Sequence, residues 1–145
     1  MKIKEITDLL QENYQLLLQD SIDDQYSFLQ RLLDEYMDGR NRFDQVNEIL
    51  LGVEDGAQLI GIGGLNQDPY NEGVIRLRHL YVMRKYRKNG LGKLLVNELL
   101  EKASARIVTL RTANQEGAHF YEHLGFKKSN SFEETSHVLY KKTII

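Results

Sequence analysis

The chain of 145 residues is 41% hydrophobic and 28% charged, with a formal net charge of -2, the make-up of one soluble globular domain able to bury a sizeable core. That charge argues against bulk attraction to nucleic acid, so no nucleic-acid partner is expected and any anion site has to be local. Because cysteine is absent, a disulfide framework, a thiolate zinc site and a cysteine nucleophile are all excluded.

The opening MKIKEITDLL has no long apolar region or small-residue cleavage site, and no stretch approaches the ~20 apolar residues of a membrane span. A cytoplasmic protein without a membrane partner is therefore expected. Residues 2 to 6 alternate and predict a short strand. Residues 8 to 19 and about 22 to 38 carry apolar side chains at helical spacing, with Ile22, Phe28, Leu29, Leu32, Leu33 and Tyr36 in one stripe and Gly39 as a stop. Two helices, or one broken helix, are expected there. Residues 48 to 54 and 58 to 65 flank Asp55-Gly56, the signal of a tight hairpin. Past the loop QDPYNEG, residues 74 to 83 predict a longer strand, 91 to 104 a helix and 106 to 111 a strand. A helix at 115 to 124 and strands near 126 to 130 and 136 to 141 complete the chain. No repeat or linker interrupts this, so one α/β domain over residues 1 to 145 is expected, with helices on both sides of a mixed sheet.

The stretch YRKNGLGKLL, residues 86 to 95, sets two glycines in a basic loop between strand and helix. Such a turn aims unpaired backbone N–H groups at one point, and the helix dipole adds partial positive charge. Gly90 and Gly92 suit close approach of a phosphate or a positive φ, with Arg87, Lys88 and Lys93 around them. A plain glycine-capped turn with solvated basic residues satisfies the same letters. A Walker loop is excluded, because no Gly-Lys-Ser/Thr follows at its spacing, and the dinucleotide fingerprint lacks its third glycine. The second stretch, NQEGAHFYEHLGFKK at 114 to 128, predicts an amphipathic helix with Asn114 as N-cap and Gly125 past its end. Read as that helix alone, Phe120, Tyr121 and Leu124 are its core face.

Together the two stretches resemble the GNAT superfamily of acyl-CoA-dependent N-acyltransferases. In that family a strand ending L-Y-V runs into (Q/R)-x-x-G-x-(G/A), and a helix N-x-x-(A/G)-x-x-F-Y-x-x-x-G-F follows later. The corresponding residues here are Leu80-Tyr81-Val82, Arg87 to Gly92 and Asn114 to Phe126. The resemblance covers roughly residues 48 to 141; the N-terminal helices agree with it in layout only. It implies a mostly antiparallel central sheet of about seven strands and acetyl-CoA as donor. Transfer is direct, to a primary amine of a small molecule or peptide, and a homodimer is compatible with it. Main-chain groups of Leu80, Tyr81 and Val82 would meet the acetyl carbonyl and pantetheine arm. The loop Arg87, Lys88, Asn89, Gly90, Leu91, Gly92 and Lys93 would cradle the pyrophosphate, and Asn114 would stand near the pantetheine. Tyr121 would be the general acid toward the departing thiolate, a role suited to a phenol of ordinary pKa ~10.

One position departs from the family. Many members carry a glutamate base four residues before the position of Leu80, and here that residue is Arg76, which stays protonated. The departure leaves a second reading, a non-catalytic acyl-CoA-binding module of the same fold. Alternation places Arg76 and Arg78 on the face of Leu80 and Val82, with His79 turned away. Those arginines either bind an anionic acceptor or pair with the acidic residues Asp20, Asp23, Asp24, Asp34 and Glu35. The histidines form no metal-ligand constellation, so no metal is expected. Tyr26, Tyr36 and Asp38 of the N-terminal helices either touch substrate or simply cover the sheet.

Overall fold

In the computed structural model, which describes residues 1–141, the elements follow the expected order. They are β1 (Lys2–Glu5), α1 (Gln15–Asp23), α2 (Phe28–Asp38), β2 (Ile49–Asp55), β3 (Gln58–Gln67), β4 (Val74–Val82), α3 (Leu91–Lys102), β5 (Ile107–Leu110), α4 (Gln115–His123), β6 (Lys127–Lys128) and β7 (His137–Tyr140). The first helical stretch divides: Asp8 accepts from the Leu10 N–H and caps a 3-10 turn at Leu9–Gln11, and α1 begins only at Gln15. Ile22 consequently ends α1 as an exposed residue and leaves the apolar stripe of α2, which keeps Leu29, Leu32, Leu33 and Tyr36 buried. Gly39 stops α2 in the left-handed conformation, φ 82°, that a β-carbon disfavours. No helix among the described residues is long and apolar enough to cross a membrane.

The strands form one seven-stranded sheet in the order β1-β2-β3-β4-β5-β7-β6. Every pairing is antiparallel except the parallel one between β4 and β5. The glycines of β3 divide its two faces. A β-carbon on Gly63 would lie 3.0 Å from Leu80 and 3.2 Å from Leu99 of α3, whereas one on Gly64 would lie 2.4 Å from the Phe43 ring. The missing side chains thus let α3 seat on one face and Phe43 on the other. With α1 and α2 on the Phe43 side, helices cover both faces of the sheet.

Two irregularities of β4 shape the centre of the molecule. First, β4 pairs with β5 only where Val74, Ile75 and Arg76 lie beside Ile107, Val108 and Thr109; from Leu77 onward its β5-side edge has no strand partner. Second, the β3–β4 register slips between Ile62 and Gly64, so that His79 and Leu80 oppose the single residue Gly63. His79 takes φ 60°, an unusual value for a residue with a β-carbon. This bulge overturns the expected facing of β4. Arg76, Arg78 and Tyr81 look toward α1 and α2, while Leu80 and Val82 look toward α3. His79, expected on the opposite side from the arginines, packs between Phe28 and Phe43 on their side.

Candidate functional site

The parting of β4 and β5 opens a groove of about 1380 Å³, large for a ligand cleft, bordered by α2, β4, the loop before α3 and the start of α4. Along its floor the main chain of β4 is exposed on one edge. The Met83 N–H donates to the Ile60 carbonyl, so one residue earlier Val82, and two before that Leu80, turn their main-chain groups away from β3 toward the gap. The Val82 carbonyl there accepts from Arg87 Nε at 2.9 Å.

At the end of the groove the chain turns into α3. Lys88 and Gly90 take φ 66° and 77°, and Gly90 occupies the N-cap position without any side-chain cap. Among the described residues, the main-chain N–H groups from Lys88 to Lys93 find no acceptor; the first helical bond is from Leu94 to the Gly90 carbonyl. A β-carbon on Gly90 would meet nothing within 4 Å, so this glycine serves backbone conformation and open space. Gly92 serves another purpose: its β-carbon would lie 3.2 Å from Phe120 Cζ, so its absence lets α4 lean on the first turn of α3. The two motifs recognised separately in the sequence therefore touch.

The acetyltransferase (GNAT) family model matches residues 3–126 of this chain. The chain belongs to the GNAT family. No curated protein sequence matches it. Among solved structures it is similar to a protein of Exiguobacterium sp. 255-15 provisionally described as an acetyltransferase, with 23% identity, coverage of 96% of this chain and 92% of that one, and a TM-score of 0.85. An acetyltransferase of Streptococcus agalactiae 2603 shares 19% identity over 98% of each chain, with a TM-score of 0.72. The PaiA N-acetyltransferase of Thermoplasma acidophilum, solved with coenzyme A, shares 19% identity over 98% of this chain and 100% of that one, with a TM-score of 0.59. These likenesses show that the GNAT fold extends over the whole described chain.

Within this GNAT domain the expected site residues fall into three groups. Lys88, Asn89, Gly90, Leu91, Gly92 and Lys93 line or flank the turn, and Lys88 and Lys93 form no ion pair among the described residues. Arg87 is drawn inward: its guanidinium meets Asp24 at 2.8 Å, caps the Val82 carbonyl and stacks 5.0 Å over the Tyr81 ring. The Tyr81 hydroxyl donates to Asp20 Oδ2 at 2.6 Å, and burial followed by the Asp20 carboxylate pushes its pKa up. Burial would raise the Asp20 pKa, yet the hydrogen bonds from Tyr81 and Arg84 leave it lowered overall. Asn114 caps α4 by accepting the Gly117 N–H at 2.6 Å, and its amide donates to the Tyr26 hydroxyl at 3.0 Å. Tyr26, between α1 and α2, thus reaches the N-terminus of α4. Tyr121 is half-buried against Phe120 and Phe126, lines the groove, and has its pKa pushed up by burial.

The arginines separate. Arg76 borders the groove with its guanidinium taken up inside the protein, donating to the carbonyls of Glu133 and Glu134, to Thr135 Oγ1 and to Asp68 Oδ2. It does not pair with the N-terminal helices, whose Asp20 and Asp24 hold Tyr81, Arg84 and Arg87 instead. Asp68 also accepts from Thr109 and from the Tyr70 and Asn71 N–H groups; desolvation raises its pKa, but these bonds and Arg76 leave it lowered. Among the described residues Arg78 has a single hydrogen bond, to Asn66 Oδ1 at 3.5 Å, and no carboxylate within ion-pair distance. Burial lowers its pKa, with the Arg76 and Arg31 charges adding to that against the opposing carboxylates of Glu35 and Glu48. His79 lies buried with both ring nitrogens unpartnered, and desolvation with the Arg78 and Arg31 charges pushes its pKa down to about 3. Tyr36 is core, its hydroxyl on the Thr7 carbonyl, and Asp38 pairs with Arg40. Two side chains not singled out as site residues in the sequence, Arg31 and Glu35, line the groove from one face of α2, at the spacing of one helical turn.

Proposed function

We propose that this chain transfers an acetyl group from acetyl-CoA, in the cytoplasm, to a primary amine of a small molecule or peptide. The observation that carries the reading is the parting of β4 from β5 beside a turn whose N–H groups have no partner. Coenzyme A fits both features. Its extended arm carries amides that an unpaired strand edge satisfies, here through Leu80 and Val82. Its pyrophosphate suits the N–H groups of Lys88 to Lys93, with Lys88 and Lys93 adding charge. Bound there, acetyl-CoA supplies a thioester whose C–S bond breaks as the amine forms the new C–N bond.

The chain's own residues hold and steer this exchange. Tyr121 keeps its proton at neutral pH, because burial raises its pKa, and presents an O–H where negative charge gathers on sulfur. Asn114 fixes the first turn of α4, and with it the direction from which Tyr121 enters. No side chain of β4 accepts the ammonium proton: Arg76 is a structural cation and His79 is too weak a base near neutral pH. That proton leaves through the open groove to solvent.

Mixing the protein with acetyl-CoA and a broad amine panel, with released thiol as the readout, tests the reading; amine-dependent release of CoA is expected. The absence of a base on β4 supports a second reading, a binding module that holds acyl-CoA without catalysis. Tight calorimetric binding of acetyl-CoA with no release on any amine selects that second reading.

A further inference from the structure

We infer that the acceptor is an amine that also carries a carboxylate, and that the groove holds this carboxylate between Arg78 of β4 and Arg31 of α2. This rests on the acetyltransfer reading above and names its substrate class. Most arginines of the groove are already taken. Arg40 pairs with Asp38, Arg87 with Asp24 and Arg111 with Glu134. Arg42 donates to the Tyr36 carbonyl and lies over the Tyr36 ring, and Arg76 is held by Asp68 and three groups of residues 133 to 135. Lys88 and Lys93 belong to the turn before α3, so among the described residues Arg78 and Arg31 are the groove arginines held by neither a carboxylate nor a carbonyl. Arg78 has one hydrogen bond at 3.5 Å and Arg31 one to Ser27 Oγ at 3.4 Å, both at the limit of such contacts.

Among the described residues no groove carboxylate lies within ion-pair distance of these two arginines, although the charges of Glu35 and Glu48 act on Arg78 from farther off. Glu48 is taken up by Asn66 Nδ2 and the main-chain N–H groups of Gln67 and Gln45. Glu35 is half-buried and in no ion pair among the described residues. Burial costs a guanidinium hydration, and a planar fork left without a partner inside a cleft is matched by a carboxylate in two parallel hydrogen bonds. Both arginines line the groove beside the His79 ring packed between Phe28 and Phe43: Arg78 adjoins His79 in β4, and Arg31 follows Phe28 by about one turn of α2. The carboxylates of Glu35 and Glu48 already act on Arg78 from a distance, which limits the local positive excess and suits a monoanion over a phosphate dianion. Glu35, one helical turn beyond Arg31, remains as counter-charge for the ammonium of the same molecule.

The test compares kcat/KM for α- and ω-amino carboxylates with the matching amines lacking the carboxylate and with aminoalkyl phosphonates. Wild-type protein is expected to favour the carboxylates by about tenfold to a hundredfold, the range of a charge-assisted pair. In Arg78→Gln that ratio is expected to fall to about one, with Arg78→Lys between and an unchanged melting temperature in both. Equal use of amines with and without the carboxylate, a preference for phosphonates, or a carboxylate preference that survives Arg78→Gln overturns the inference. Should no amine be acetylated, the acetyltransfer reading fails by itself, and the inference is judged by calorimetric titration of 4-aminobutyrate and butylamine into CoA-saturated protein. Binding of 4-aminobutyrate alone, lost in Arg78→Gln, sustains the anion site; binding of neither, or no loss in the variant, overturns it.

Discussion

Tyr121 and His79 show how burial sets what a single side chain can do. Tyr121 lines the groove, its hydroxyl has no hydrogen-bond partner among the described residues, and the raised pKa makes it a donor rather than a source of anion. Tyr121→Phe is expected to lower turnover by about a hundredfold, the low end of general-acid contributions, while the calorimetric affinity for acetyl-CoA stays within about twofold. Equal loss in affinity and turnover would make the phenol a binding group instead. His79 works in the opposite direction. Folded, it resists protonation down to about pH 3, whereas in the unfolded chain it protonates near its ordinary 6.5. Between these values the unfolded state binds more protons, so stability is full above pH 6.5 and falls as pH decreases. At about 1.4 kcal/mol per pH unit, roughly 2 kcal/mol is lost by pH 5. Asparagine tolerates the positive φ of this position, so His79→Asn is expected to fold and to flatten the dependence of urea stability between pH 7 and 5. A variant as acid-sensitive as the parent would place the titration elsewhere.

At the scale of elements, the strand β4 carries both the architecture and the main departure from expectation. Its position, its neighbours and the loop after it were legible because apolar alternation, Asp55-Gly56 and the glycines near 90 report local backbone preferences. Its bulge was not, because nothing in HLYV marks a non-glycine residue at positive φ, and one extra residue reversed which side chains face α3. The fate of Arg76 was equally hidden: its partners Glu133, Glu134 and Thr135 are nearly 60 positions away and meet it only once β7 crosses to β5. The helix α4 was read well from Asn114 and Gly125, yet the contact of Phe120 with Gly92 depends on packing between distant elements. The Asp68–Arg76 pair is the joint these elements share, with the Asp68 side chain fully buried and that of Arg76 10% exposed. Arg76→Met is expected to lower stability by about 3–5 kcal/mol, because it leaves a buried carboxylate uncompensated. Urea denaturation would show a lower midpoint at unchanged slope. An Arg76→Met protein of wild-type stability that cannot use its acceptor would return this arginine to the substrate.

Across the whole molecule the sheet behaves as two parts joined by a narrow seam. One part holds β1 to β4 with α1, α2 and α3; the other holds β5, β7, β6 and α4. Besides the core that Val108, Leu110 and Phe126 share with the first part, they are joined by three residue pairs of β4 and β5, the Arg76 clamp, the Thr109–Asp68 and Tyr26–Asn114 hydrogen bonds, the bonds of Lys141 to the Leu100 and Ala103 carbonyls, and the Gly92–Phe120 contact. The second part is thin: β6 is two residues long and α4 has no fully buried side chain. Elements with few buried apolar groups open at lower free energy than the global transition. Amide exchange of β6 and α4 is therefore expected to be faster than that of β2 and β3. A ligand lying in the gap would touch both parts, so its binding energy would oppose their separation as well as global unfolding. At a hundredfold excess over its Kd, acetyl-CoA adds about 2.7 kcal/mol to the folded state, a rise in Tm of roughly 9 °C for a chain of this size. The distinguishing expectation is spatial: exchange in β5, β7 and α4 slows by up to about a hundredfold, beyond the protection gained in β2 and β3. A higher Tm with no added protection in the second part would mean that the ligand rests on β4 and the α3 turn alone, and that the seam is closed by the protein itself.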